Sequence, residues 1–135
     1  MTENRSVPPA SVIPVLAYDD AVEASDWLCR AFGFTVRLRI GTHRVQLVLG
    51  NGAAVATDGG ATESSGLSVL VRVDDADAHR QRASAAGARI VSEPADYRYG
   101  ERQYTAVDLG GYRWTFSQSI ADVDPADWGG QLVGE

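Results

Sequence analysis

This chain has a single cysteine, only two histidines and no long apolar run. Cys29 has no partner for an internal disulfide, falls inside a predicted helix and reads as a small half-buried residue, not an activated thiol. A membrane span needs ~18 or more consecutive apolar residues, and no such run occurs. Basic charge is scarce as well. The formal net charge is −6, the wrong sign for a surface that grips phosphates, so no nucleic-acid partner is expected. Nucleophile elbow, phosphate-cradling loop and dinucleotide glycine fingerprint are all missing. Residues 1–11 are polar, contain Pro8-Pro9 and lack the apolar stretch of a signal peptide. They read as a flexible tail on a cytoplasmic protein.

What is present suffices for one core. With 135 residues, 44% hydrophobic and 22% charged, the chain fits a single folded domain. Within it the sequence nearly repeats itself. Asp19-Asp20-Ala21 recurs as Asp74-Asp75-Ala76, and Phe32-Gly33-Phe34 has its counterpart in Ala86-Gly87-Ala88. The spacing from Asp19 to Asp74 is 55 positions and from Gly33 to Gly87 it is 54. A duplicated strand–helix unit predicts one fold built from paired modules, with any site between them.

The local signals agree. Val12 to Ala17 reads as a strand whose Pro14 belongs at an edge or junction, because proline has no amide to give a ladder. Asp20 with Glu23 resembles a capping box, and Ala21, Ala24, Leu28, Ala31 and Phe32 recur at helical spacing up to Gly33. Strands follow over 35–40, 44–49 and 53–57, with Gly50-Asn51-Gly52 as a hairpin turn. A second round repeats this: a strand over 67–73, a helix over 76–86 with an apolar face of alanines only, and strands over 89–92, 103–107 and 112–117. The expected layout is a tail over 1–11, one domain over 12–120 and a tail over 121–135. Within the domain lie module one (12–57), a Gly/Ser/Thr-rich linker (58–66) and module two (67–118).

In this arrangement the chain resembles the vicinal oxygen chelate superfamily, which includes glyoxalase I, bleomycin-resistance proteins and ring-cleaving dioxygenases. The resemblance is carried by Val12-Ile13-Pro14-Val15-Leu16, Asp19, Trp27 and Phe32-Gly33-Phe34. In module two it is carried by Val73-Asp74-Asp75-Ala76, Gly87-Ala88, Tyr99-Gly100-Glu101-Arg102, Val107-Asp108 and Gly111-Tyr112-Arg113-Trp114. It implies an α+β fold: two tandem βαβββ modules forming a curved, half-barrel mixed sheet with helices on the outside. It also implies a homodimer whose clefts hold a small-molecule ligand and often a metal.

The resemblance places metal ligands on the first and last strand of each module, where they fall on Ile13, Ser68, Thr115 and near Ala56 or Thr57. None is a credible ligand for zinc, nickel or iron. His43 lies in a turn and His79 on the second helix, so both read as solvent-facing or locally hydrogen-bonded. No metal, no cofactor and no catalytic residue is therefore expected. Adjacent aspartates at helix starts read as caps, and Glu101 beside Arg102 reads as a surface pair. Arg37, Arg39 and Arg44 read as solvated.

Alternation gives the expected cleft lining. With Ser68 and Thr115 facing the cleft, Leu70, Arg72, Arg113 and Ser117 share that face, while Tyr112, Trp114 and Phe116 point toward the helices. By resemblance, Tyr97, Tyr99, Arg102 and Tyr104 border it. The expected ligand-binding set is Ser68, Leu70, Arg72, Tyr99, Arg102, Tyr104, Arg113 and Thr115. The reading is a metal-independent protein of the bleomycin-resistance type that sequesters an aromatic or metabolite-like molecule in a dimer cleft. The alternative is a glyoxalase-like lyase or dioxygenase with an atypical metal site, and a regulatory interaction module is a third possibility.

Overall fold

A computed structural model describes residues 4–60 and 67–132, so most of the expected linker lies outside the described residues. The order of elements is β1 (Val15–Tyr18), α1 (Ala21–Phe32), β2 (Thr35–Ile40), β3 (Arg44–Leu49), β4 (Gly52–Asp58), β5 (Ser68–Arg72), α2 (Ala76–Ala85), β6 (Arg89–Tyr97), β7 (Glu101–Val107) and β8 (Arg113–Ser119). A short 3-10 turn follows at Pro125–Trp128. No helix is long and apolar enough to cross a membrane among the described residues.

Both helices start and stop where elementary chemistry says they should. The Asp20 carboxylate accepts from the amides of Val22 and Glu23 at 3.0 and 3.1 Å, and Asp75 accepts from Ala78 at 3.0 Å. These bonds satisfy amides that a first helical turn leaves without partners. Gly33 ends α1 in the left-handed region (φ 90°), its amide donating to the Cys29 carbonyl. The β3–β4 turn places Gly50 at φ 57° with no positive φ at Asn51, the pattern of a type II′ hairpin.

The strands form two separate four-stranded sheets, ordered β1-β4-β3-β2 and β5-β8-β7-β6. In each, the first strand runs parallel to the last and the rest are antiparallel. Pro14 sits just before the edge strand β1, and its carbonyl accepts from the Val55 amide at 2.9 Å. β6 runs on through Pro94 to Tyr97, farther than its pattern predicts. It is an edge strand with two register shifts, and such places tolerate a residue that cannot donate.

The half-barrel expectation is overturned. The sheets are neither closed nor curled, each keeps two free edges, and no ladder joins them among the described residues. Nor do the helices lie outside a joint sheet; they pack on each other where the modules meet. The cause lies in α1, whose buried arc runs through Ala21, Ala24, Ser25, Trp27, Leu28, Ala31 and Phe32. That arc is wider than one sheet needs. Phe32 reaches Trp114 and Phe116 of the other module at ring-centroid distances of 5.4 and 4.8 Å, and Trp27 Nε1 donates to the Ala86 carbonyl at 2.7 Å. Arg82 donates to the carbonyls of Cys29 and Arg30, a cation at the negative end of α1. One hydrophobic core results, shared by both modules.

A buried carboxylate completes the joint. Asp108, 6% exposed, accepts from Tyr18 Oη at 2.7 Å, Trp114 Nε1 at 2.9 Å and the amides of Gly110 and Tyr112 at 2.8 and 3.0 Å. Gly110 is needed for the approach, since a Cβ there would stand 2.6 Å from the Tyr18 ring.

Candidate functional site

Because the helices and core take the inner face of the second sheet, its outer face is left open. Register puts Ser68 beside Arg113, Leu70 beside Thr115 and Arg72 beside Ser117, then Thr105, Gln103 and Glu101 of β7 beside Thr115, Ser117 and Ser119. The intervening residues Trp114, Phe116 and Tyr104 point into the core. Ser68, Arg72 and Arg113 are exposed, and Leu70 is 67% exposed, an unusual fraction for a leucine at mid-strand.

A chain of hydrogen bonds makes this face a fixed array. Ser117 and Ser119 each donate to one oxygen of Glu101 at 2.6 Å, and Arg72 donates to the Ser119 hydroxyl at 2.6 Å. Gln103 donates to Ser117 at 2.9 Å and accepts from the Tyr99 hydroxyl at 3.0 Å, while Thr105 and Thr115 join at 2.9 Å. The two serine hydroxyls hold the Glu101 carboxyl below the usual carboxylate range, so it is ionised at neutral pH. Tyr99 stacks on Tyr97 and meets Trp128 at an angle, both at 5.5 Å, which sets an aromatic step at one end of the array.

Ser68, Leu70, Arg72, Arg113 and Thr115 thus share one face, with Tyr99 at its end. Arg102 and Tyr104 lie on the other side of β7. Arg102 pairs with Asp77 of α2 and with Asp96, at 3.0 and 2.9 Å. Tyr104 is 1% exposed, and its hydroxyl meets His79 Nδ1. His79 Nε2 faces the Phe32 carbonyl at 3.1 Å, so Nε2 carries the proton and Nδ1 accepts from Tyr104. Burial lowers the pKa of this imidazole. Glu101, Gln103 and Ser119 were missing from the expected set. Their signal was available as the alternation Glu101, Gln103, Thr105 against Arg102, Tyr104, Ala106.

A groove of about 730 Å³ opens along the free edge of β5, between the modules. Pro14, Phe32, Phe34, Val71 and Trp114 supply apolar walls, Arg82 and His79 contribute polar groups, and Leu70 and Arg72 connect it to the open face. The residues at the expected metal positions do not fit a cation. Ile13 and Ala56 offer no donor, Ser68 is a neutral hydroxyl, and the hydroxyls of Thr57 and Thr115 are engaged with the His43 carbonyl and Thr105. No cluster of three or more His, Cys, Asp or Glu side chains is placed to hold a metal among the described residues.

Residues 12–116 match the Glyoxalase/Bleomycin resistance protein/Dioxygenase superfamily. The chain belongs to that superfamily. The crystal structure of TioX from Micromonospora sp. ML1 is similar over 81% of this chain and 98% of TioX, with 37% identity and a TM-score of 0.70. A family member from Burkholderia phytofirmans PsJN matches at a TM-score of 0.70 over 80% of this chain and 97% of that one, but at 20% identity it shares the fold alone. The uncharacterized protein Rv0887c of Mycobacterium tuberculosis is 29% identical over 88% of this chain and 79% of its own length.

Proposed function

We propose that this protein is a cytoplasmic small-molecule binder of the bleomycin-resistance type, holding an aromatic or metabolite-like ligand on the outer face of the second sheet without a metal. The observation that carries this reading is the open face itself. Arg72, Glu101, Gln103, Ser117 and Ser119 are already held in place by one another, so a ligand meets them with little ordering cost. The exposed Leu70 and the Tyr97–Tyr99–Trp128 step offer apolar contact, and Arg72 and Arg113 offer directed charge. That mixture suits a flat, amphipathic molecule.

A second copy of the chain closes the cleft in this proposal. Val12, Val15, Leu67 and Leu70 are 79, 51, 43 and 67% exposed and cluster on or beside the free edge strands β1 and β5. Two edges with apolar flanks support pairing between copies. Light scattering checks the dimer, and thermal-shift screening with planar aromatic compounds checks binding. A monomer with no stabilising compound would remove the proposal.

Glu101 is the observation that favours an enzyme, since a fixed carboxylate on an open face suits a lyase or dioxygenase with an atypical metal site. Metal analysis after purification without chelators separates the two readings. Stoichiometric nickel, zinc or iron, with turnover lost on its removal, would decide for the enzyme.

A further inference from the structure

The outer face of the first sheet is the counterpart of the open face of the second, yet it is covered. Gln46 on β3 and Ala53 and Val55 on β4 alternate with the core residues Val45, Leu47, Ala54 and Ala56, so they point away from the helices. They are nonetheless only 4, 8 and 4% exposed. At Gln46 the covering comes from the chain's own N-terminal segment. Gln46 Nε2 donates to the Ser6 carbonyl at 2.8 Å, and Arg37 Nη2 donates to the Arg5 carbonyl at 3.0 Å. Arg37 Nη1 fixes the Gln46 carboxamide from its other end at 2.7 Å. Two residues further on, Pro8 is buried.

We propose that residues 4–10 form a strap, an occupant in cis of a peptide-binding face on the first sheet. Three features separate a bound ligand from a structural layer. The segment makes no ladder with either edge of the sheet, so it lies on the face as a ligand would. Its main-chain hold on the sheet consists of two consecutive carbonyls, read by two side-chain donors that are themselves locked together. Its shape is made locally, by Asn4 Oδ1 accepting from the Ser6 amide and the Asn4 carbonyl accepting from Val7. With the segment gone, the Arg37 and Gln46 donors stay locked together, and a replacement satisfies them by offering the same pattern of acceptors. That pattern is a tight turn presenting two successive amide carbonyls, with a compact proline ring two residues beyond. The proposal concerns the other sheet from the ligand face described above, and its test needs no ligand of that face.

Limited trypsin digestion of the full chain, read by intact mass for loss of residues 1–5, is the experiment. The Arg5–Ser6 bond is held in the strap and is cut slowly in the wild type. Pro8→Asp, which changes only the strap, and Gln46→Leu, which changes only the face, each speed that cleavage by about fivefold or more. Thermal melting confirms that both variants stay folded. Equal cleavage rates in all three chains overturn the strap. Anilinonaphthalene sulfonate fluorescence also rises in Pro8→Asp as the apolar face is bared. A synthetic peptide of residues 4–9 reverses that rise in Pro8→Asp, but not when Gln46→Leu is present as well. A peptide without effect on the Pro8→Asp chain overturns the peptide-binding face.

Discussion

Replacing Asp108 with alanine removes the acceptor shared by four donors at the joint between the modules. Two of these donors, the Tyr18 hydroxyl and the Trp114 indole N–H, belong to side chains 2 and 1% exposed, where water cannot take over. A buried donor left without a partner costs ~1–3 kcal/mol, so the two together cost about 4 kcal/mol. The amides of Gly110 and Tyr112 add less, because Gly110 is half-buried and can be rehydrated. Loss of the buried charge returns some desolvation energy, but with four donors around it that penalty was already largely offset. A domain of this size has roughly 7–20 kcal/mol in total. The expected effect is therefore a drop of about 12 °C in Tm, read by thermal and urea unfolding with tryptophan fluorescence. Tyr18→Phe supplies the internal control. It removes one orphaned donor, so the double variant Asp108→Ala/Tyr18→Phe is less destabilised than the two single losses combined, by ~1–2 kcal/mol. Additive losses, or a cost below ~1.5 kcal/mol for Asp108→Ala, would refute the claim that this carboxylate holds the joint.

The orientation of Tyr104 makes Tyr104→Ala a core deletion, with an expected loss of ~3–5 kcal/mol in chemical denaturation. Arg113→Ala leaves stability within ~0.5 kcal/mol and weakens binding of a ligand found by thermal shift about tenfold in calorimetry. Gly110→Ala drives a Cβ against the Tyr18 ring and lowers stability by ~1–3 kcal/mol, measured by urea unfolding. The His79 pKa is depressed by burial, so its folded value lies below the unfolded one of about 6.5. The unfolded chain then binds the proton first, and the stability contributed by neutral His79 is full above that pH and lost as the pH falls toward the folded value. Unfolding free energies at several pH values between about 7 and 5.5 should slope downward in the wild type and flatten in His79→Gln.

Much of this was legible locally. The Asp20 and Asp75 caps, the Gly33 exit and the turn after Leu49 each follow from residues within one helical or hairpin turn, and each is where the sequence places it. Alternation along β8 also sorts Trp114 and Phe116 inward from Thr115 outward. The same count along β7 assigns Tyr104 to the core, whereas the resemblance alone places it beside the cleft. The extent of β6 was hidden because register shifts at Ser92 break the alternation on either side of Pro94. The way the sheets face depends on how far the α1 apolar arc reaches into the other module. That is a contact between residues distant in sequence, and no local pattern carries it.

The duplication explains why the frame repeats while the two outer faces do not. In each module the first amide of the helix donates to a side-chain oxygen at the end of the last strand: Ala21 to Asp58 at 2.8 Å, and Ala76 to Gln118 at 2.9 Å. Strand order, helix start and glycine exit recur for the same reason: a βαβββ unit needs its buried amides satisfied, and few residues do this at those positions. The outer faces carry no such demand, because side chains there can be solvated. In the first module that freedom is taken up by Arg37 and Gln46, which hold the chain's own backbone. In the second it is taken up by Glu101, Gln103, Ser117 and Ser119, which hold one another and leave Arg72, Arg113 and Leu70 facing outward. Two copies of one scaffold thus present one filled face and one open face. An outside ligand meets the open face without first displacing protein, whereas on the first sheet the chain's own segment must leave first.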